Sequence, residues 1–67
     1  MPVTVDSIRQ RVAHIESIQY DCEVAHGEED SLYEDVLLAI SKGADKPHEL
    51  AAAALAARDL DFSRWYA

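Results

Sequence analysis

The sequence predicts an all-α fold, a small three-helix bundle closed by an aromatic turn near its C-terminus. Two observations support this prediction. Apolar residues recur three and four positions apart in three successive stretches, a spacing that places their side chains on one face of a helix. Glycine, proline and capping residues separate the later stretches, as expected for the short connections of helix bundles. The 67 residues are sufficient for one domain, 1–67.

The first helix is predicted to begin after Thr4, whose hydroxyl can cap its N-terminus, and to reach about Gln19. Val3 precedes this cap and is expected to contact Ile8 as a hydrophobic staple. The apolar face comprises Val5, Ile8, Val12, Ile15 and Ile18. No glycine or proline marks the end of this helix, so the spacing permits either a loop or a simple bend before the second helix.

The second helix is predicted to extend from an N-cap at Asp21 to a C-terminal stop at Lys42 and Gly43. Its apolar face is formed by Ala25, Leu32, Val36, Leu37 and Ile40. Gly27 lies in its interior at a cost of about 1 kcal/mol relative to alanine, and it could instead end an earlier helix. Because the apolar spacing continues across Gly27, we predict one continuous helix.

The third helix is predicted to begin at Pro47, with Asp45 or Lys46 as its cap. Its face of mostly small side chains comprises Leu50, Ala53, Ala54, Leu55 and Ala57, and such a face allows close packing. Residues 50–57 carry no charge. A monomer seldom exposes such a helix, so we expect it to contact a partner protein or a second copy in a homodimer.

The end of the chain contains large apolar residues in a segment too short to fold alone: Leu60, Phe62, Trp65 and Tyr66. Asp61 can cap a final turn in which Phe62 and Trp65 share one side. We interpret this segment as a lid on the core in preference to an aromatic ligand site, because aromatic residues contribute large apolar areas to a small core.

The chain is acidic, with 13 Asp and Glu against 6 Lys and Arg and a formal net charge of −7. Between Arg11 and Lys42 lie eight carboxylates and no Lys or Arg. This interval disfavours direct nucleic-acid binding, which depends largely on neutralising phosphates. The charge is interpreted first as a contribution to solubility and second as an acidic binding face.

Several other features bear on location. The single cysteine, Cys22, rules out an intramolecular disulfide, and no apolar run approaches the roughly 20 residues needed to cross a bilayer. The N-terminus lacks the basic and apolar regions of a signal peptide. We therefore expect a cytoplasmic protein without membrane contact.

Four polar residues lie at i, i+3, i+4 and i+7 along the border of the second apolar face: His26, Glu29, Asp30 and Tyr33. Glu23 and His26 have the Glu-x-x-His spacing of di-iron helices, but one copy would require a two-fold dimer and a further glutamate such as Glu16. The structural interpretation is that His26 bonds to Glu29, Asp30, Tyr33 or a neighbouring backbone group. No phosphate-binding loop or nucleophile arrangement is present, so we predict neither an enzyme nor a cofactor.

Two stretches resemble short uncharacterised proteins of actinobacteria and their phages or prophages. One is an HxxEDxLYxxVLxxI pattern over residues 26–40, and the other is an LDFxRWxA pattern over residues 60–67. The resemblance implies no activity. It does imply that His26, Glu29, Asp30, Arg64 and Trp65 belong to one arrangement, in which the tail folds onto the second helix. Arg64 would then form an ion pair with Glu29 or Asp30.

These observations predict a non-enzymatic accessory protein, encoded by a phage or its host, that binds another protein through its helical surface. The alternative is an acidic decoy that occupies the nucleic-acid site of a nuclease or repressor. The two functions differ in salt dependence, because ions screen exposed carboxylates but hardly affect apolar docking. A third alternative is the dimeric carboxylate and histidine metal site.

Overall fold

The computed structural model describes residues 3–62. They form three α-helices, α1 (Val5–Ser17), α2 (Cys22–Ser41) and α3 (Pro47–Leu55), followed by a short 3₁₀ segment, Ala56–Asp59. Each helix contacts the other two. The predicted all-α class and three-helix bundle are therefore confirmed, and the described range contains no strand.

One apolar core lies between the three helices. Its fully buried centre is formed by Ile8, Ile15 and Leu32. The other buried apolar residues are Ala25, Val36, Leu50, Ala54, Ala57 and Phe62. The small side chains at Ala54 and Ala57 allow the third helix and the 3₁₀ segment to approach the bundle closely, as predicted. Phe62 joins this core, whereas Arg64, Trp65 and Tyr66 lie outside the described residues.

The N-terminus of α1 is fixed by a reciprocal capping box. The Thr4 N–H donates to Ser7 Oγ at 2.9 Å, and the Ser7 N–H donates to Thr4 Oγ1 at 3.1 Å. The predicted Thr4 cap is thus present, but the reciprocal role of Ser7 was not predicted. The helix ends at Ser17, about two residues earlier than expected, and a turn over residues 18–21 leads into α2.

The second helix has the predicted caps and is continuous through Gly27. Asp21 Oδ1 accepts from the Val24 N–H at 3.2 Å. At the other end the chain reverses through Gly43, whose φ is +86°, and the Ala44 N–H donates to the Ala39 carbonyl at 3.1 Å. This bond, together with that from the Gly43 N–H to the Ile40 carbonyl, forms a Schellman motif.

The third helix begins at Pro47, as predicted, and its N-cap is Lys46. Lys46 has a left-handed backbone with φ of +55° and makes no capping bond with its side chain. The last predicted helical turn is tightened to 3₁₀ geometry over Ala56–Asp59. Ala57 remains fully buried within that turn, so the change of helix type does not remove it from the core.

Two predicted core residues are in fact exposed. Leu37 on α2 has 66% of its surface exposed, and Leu55 on α3 has 45%. Both belong to apolar stripes in the sequence, but each lies about 100° around its helix from a buried neighbour, Val36 or Ala54. In each helix the apolar stripe is therefore wider than the part of the helix surface that the other helices cover, and the edge of the stripe faces solvent.

Candidate interaction surface

The four polar residues predicted along the border of α2 form two pairs of side chains in contact. The Tyr33 hydroxyl donates to Glu29 Oε2 at 3.0 Å, and His26 Nε2 lies 3.4 Å from Asp30 Oδ1. His26 and Glu29 are buried, with 7% and 3% exposure, whereas Asp30 is exposed. The structure thus brings these four residues together, with two of them deeper than the border position that we expected.

The burial of Glu29 follows from its position on the helix. It lies four residues after Ala25 and three before Leu32, so it occupies the core stripe of α2 between two buried apolar residues. Sequence spacing alone contains this signal, but a carboxylate at such a position is usually assigned to solvent. Glu29 instead receives the Tyr33 hydroxyl as a hydrogen-bond donor, which compensates part of the cost of burial.

Two further predictions concern the same side of α2. Within residues 3–62 no group of three or more His, Cys, Asp or Glu is placed to hold a metal ion. The predicted pairing of Arg64 with Glu29 or Asp30, and the role of Trp65, fall on residues outside the described range. They remain predictions.

An apolar groove lies between α2 and α3, on the outer side of the core. Its volume is about 440 Å³, and it is lined by Tyr33, Val36, Leu37, Ala51, Ala54, Leu55 and Arg58. We call it the α2–α3 groove. Two exposed leucines, Leu37 and Leu55, and the small side chains of Ala51 and Ala54 are among its lining residues. The residues that were misassigned to the core therefore create this surface.

The rim of the α2–α3 groove on the α2 side is acidic. Asp30, Glu34 and Leu37 follow one another at i, i+4 and i+7, so the two carboxylates continue the row of the exposed leucine. Both carboxylates are exposed. On the other side, Arg58 lies three residues after Leu55 and lines the groove itself, since residues three apart share a face in the 3₁₀ segment. Two exposed carboxylates thus lie in the row of Leu37 on the α2 side, and one arginine is among the described residues that line the groove.

A second groove, between α1 and α2, differs in chemistry. It has a volume of about 710 Å³, and its lining includes Arg11, His14, Asp35 and Lys42. Arg11 donates to Asp35 Oδ2 at 2.8 Å across it, so this ion pair joins the two helices. Leu38 is the exposed leucine of this groove, with 51% exposure. Its charged and polar lining makes it a less apolar surface than the α2–α3 groove.

Comparison of the chain with protein-family models, with curated proteins and with solved structures gives no match. Among the described helices, none combines the length and the apolar character that crossing a membrane requires.

Proposed function

We propose that this protein is a non-enzymatic interaction module that binds another protein in the α2–α3 groove. The observation that carries the proposal is the pair of exposed leucines, Leu37 on α2 and Leu55 on α3, that line one groove. Single exposed leucines are ordinary, but leucines grouped around an apolar groove are typical of binding surfaces.

The surroundings of the groove support this proposal. From Leu50 to Ala57 the chain carries no charged residue, so most of the α3 side of the groove can be covered by an apolar surface without burying a charge. The groove volume of about 440 Å³ is large enough to receive several apolar side chains. We place this function in the cytoplasm, in an accessory protein of a phage or its host, on the basis of the sequence features described above.

An acidic decoy is the second candidate, favoured by the eight carboxylates between Arg11 and Lys42. Several of the eight are engaged within the fold: Asp21 caps α2, Glu29 is buried, Asp30 lies beside His26, and Asp35 pairs with Arg11. Exposed Glu28 and Glu34 lie more than 100° apart around α2. A decoy must mimic a regular row of phosphates, and carboxylates on different sides of α2 do not form such a row. Binding of a protein in the α2–α3 groove is therefore better supported than the decoy.

The two candidates are separated by affinity capture from lysate of the cells that express the chain. Full-length wild type, Leu37→Ala and Leu38→Ala serve as baits, each at about 50 mM and about 500 mM salt. If the proposed function is correct, the wild type and Leu38→Ala should capture the same protein, and Leu37→Ala should fail to capture it. High salt should release only part of the captured protein. Capture that is insensitive to Leu37 and abolished by salt would support the decoy instead.

A further inference from the structure

We infer that the α2–α3 groove receives a basic amphipathic helix of a partner protein. This inference rests on the proposed function, because it names the class of partner for the same groove. Three properties of the groove support it: its apolar lining, its length along two packed helices, and the sign of the charge on its rim.

The lining of the groove suits a helix. Its α3 side extends from Ala51 to Arg58, a rise of about 10 Å in helical geometry. Apolar side chains at i, i+3, i+4 and i+7 of a bound helix span the same length, since seven residues also rise about 10 Å. Leu37 and Leu55 would contact the sides of such a stripe, and the small Ala51 leaves space for a large side chain between them.

The rim determines the charge of the bound helix. Exposed Asp30 and Glu34 continue the row of Leu37 on the α2 side, Arg58 is the one cation among the described residues that line the groove, and the whole chain has a net charge of −7. Lys or Arg residues beside the apolar stripe of the bound helix would lie opposite these carboxylates. Acidic residues in the same positions would instead be repelled by both the rim and the net charge.

The same charge distribution disfavours a second copy as the occupant. A two-fold dimer through this groove would place identical surfaces against each other, and each copy brings the same excess of carboxylates on its rim. Among the described residues that line the groove, Arg58 alone is a cation that could offset this repulsion. The experiment still tests for a homodimer through α3, because such a dimer would occupy the same groove.

The test uses defined peptides and the full-length chain. The probe is a fluorescein-labelled peptide of about 15 residues, with leucine at i, i+3, i+4 and i+7 and lysine at the remaining positions. One control peptide replaces every lysine by glutamate. A second keeps the lysine and leucine composition but scrambles it, so that the charge is unchanged and the apolar stripe is lost. Binding is measured by fluorescence anisotropy.

We expect the basic peptide to bind at least about tenfold more tightly than either control peptide. Leu37→Ala and Leu55→Ala should each weaken its binding by about tenfold, as is typical for an anchor residue of an interface. The matched control Leu38→Ala, a leucine of the other groove whose 51% exposure lies between those of Leu37 and Leu55, should change binding by less than about twofold. The double substitution Asp30→Asn and Glu34→Gln should weaken binding and reduce its salt dependence.

Three results would overturn the inference. Equal binding of the scrambled peptide would show that charge alone attracts the probe. Equal binding of the glutamate peptide would remove the role of the rim. Sedimentation of the wild-type chain as a dimer that Leu37→Ala dissociates would assign the groove to a second copy. If the basic peptide fails while lysate capture still depends on Leu37, this inference fails and the proposed function stands. Loss of both overturns both.

Discussion

Tyr33 donates its hydroxyl to the buried carboxylate of Glu29 at 3.0 Å, one helical turn apart on α2. The bond connects the core to the surface, because Glu29 lies in the core stripe while Tyr33 also lines the α2–α3 groove. A tyrosine in this position serves both the stability of the bundle and the shape of the groove.

Tyr33→Phe removes the hydroxyl and keeps the ring, so the groove retains its apolar lining. We expect the free energy of unfolding to fall by about 1–2 kcal/mol, because a carboxylate buried at 3% exposure loses a hydrogen bond. Urea denaturation followed by circular dichroism measures the change. Tyr20→Phe is the control, since Tyr20 is 85% exposed. Equal effects at the two positions would contradict the structural role of the bond.

Alanine substitution at two leucines of α2 distinguishes a residue that stabilises the core from one that lines the groove. Leu32→Ala should cost about 2–5 kcal/mol, because Leu32 is fully buried and its loss leaves a cavity. Leu37→Ala should change stability by less than about 0.5 kcal/mol, because Leu37 is exposed and alanine is a good helix former. Thermal unfolding of the two variants measures the contrast. A large loss for Leu37→Ala would assign that residue to stability and weaken the binding proposal.

Alanine substitution of the two glycines should have opposite effects. At Gly27 an added Cβ meets no atom within 4 Å, and the residue lies inside a helix, so alanine should stabilise the protein by about 0.5–1 kcal/mol. At Gly43, φ of +86° strains any residue with a Cβ, and alanine should destabilise by about 1–2 kcal/mol. Midpoints of urea unfolding measure both. A gain at Gly43 would contradict the Schellman geometry.

The Arg11–Asp35 ion pair should contribute little. Its N–O distance is 2.8 Å, but the side chains are 34% and 49% exposed, so solvent screens the interaction. A double-mutant cycle with Arg11→Gln and Asp35→Asn should give a coupling energy below about 1 kcal/mol that decreases as salt is added. A salt-independent coupling well above this value would show that the pair is more shielded than its exposure indicates.

Much of the fold was predictable from local signals in the sequence. Helix ends are marked by the cap residues Thr4 and Asp21 and by Gly43. The two cap side chains accept hydrogen bonds from backbone N–H groups three residues later, and the chain reversal at Gly43 lets backbone N–H groups bond to the last carbonyls of α2. A helix boundary was predicted less accurately where the sequence contains no such signal. The end of α1 has no glycine or proline, and its predicted boundary was about two residues too late.

The candidate site was predictable only in part. Spacing grouped His26, Glu29, Asp30 and Tyr33, and the structure places two contacts among them. The groove was not predicted in this form, because Leu37 and Leu55 were assigned to apolar faces that we expected to be covered. Their exposure depends on how closely α3 approaches α2, which is a property of the packed pair of helices.

By itself, the sequence determined which segments are helical, where α2 and α3 begin, and that the chain has an excess of carboxylates. These are consequences of spacing, capping and composition, each of which acts within a few residues or is independent of the fold. Only the tertiary structure decided which edge of each apolar stripe is buried. Three helices in contact cover a limited arc of one another, so Glu29 lies inside that arc and Leu37 lies beyond it.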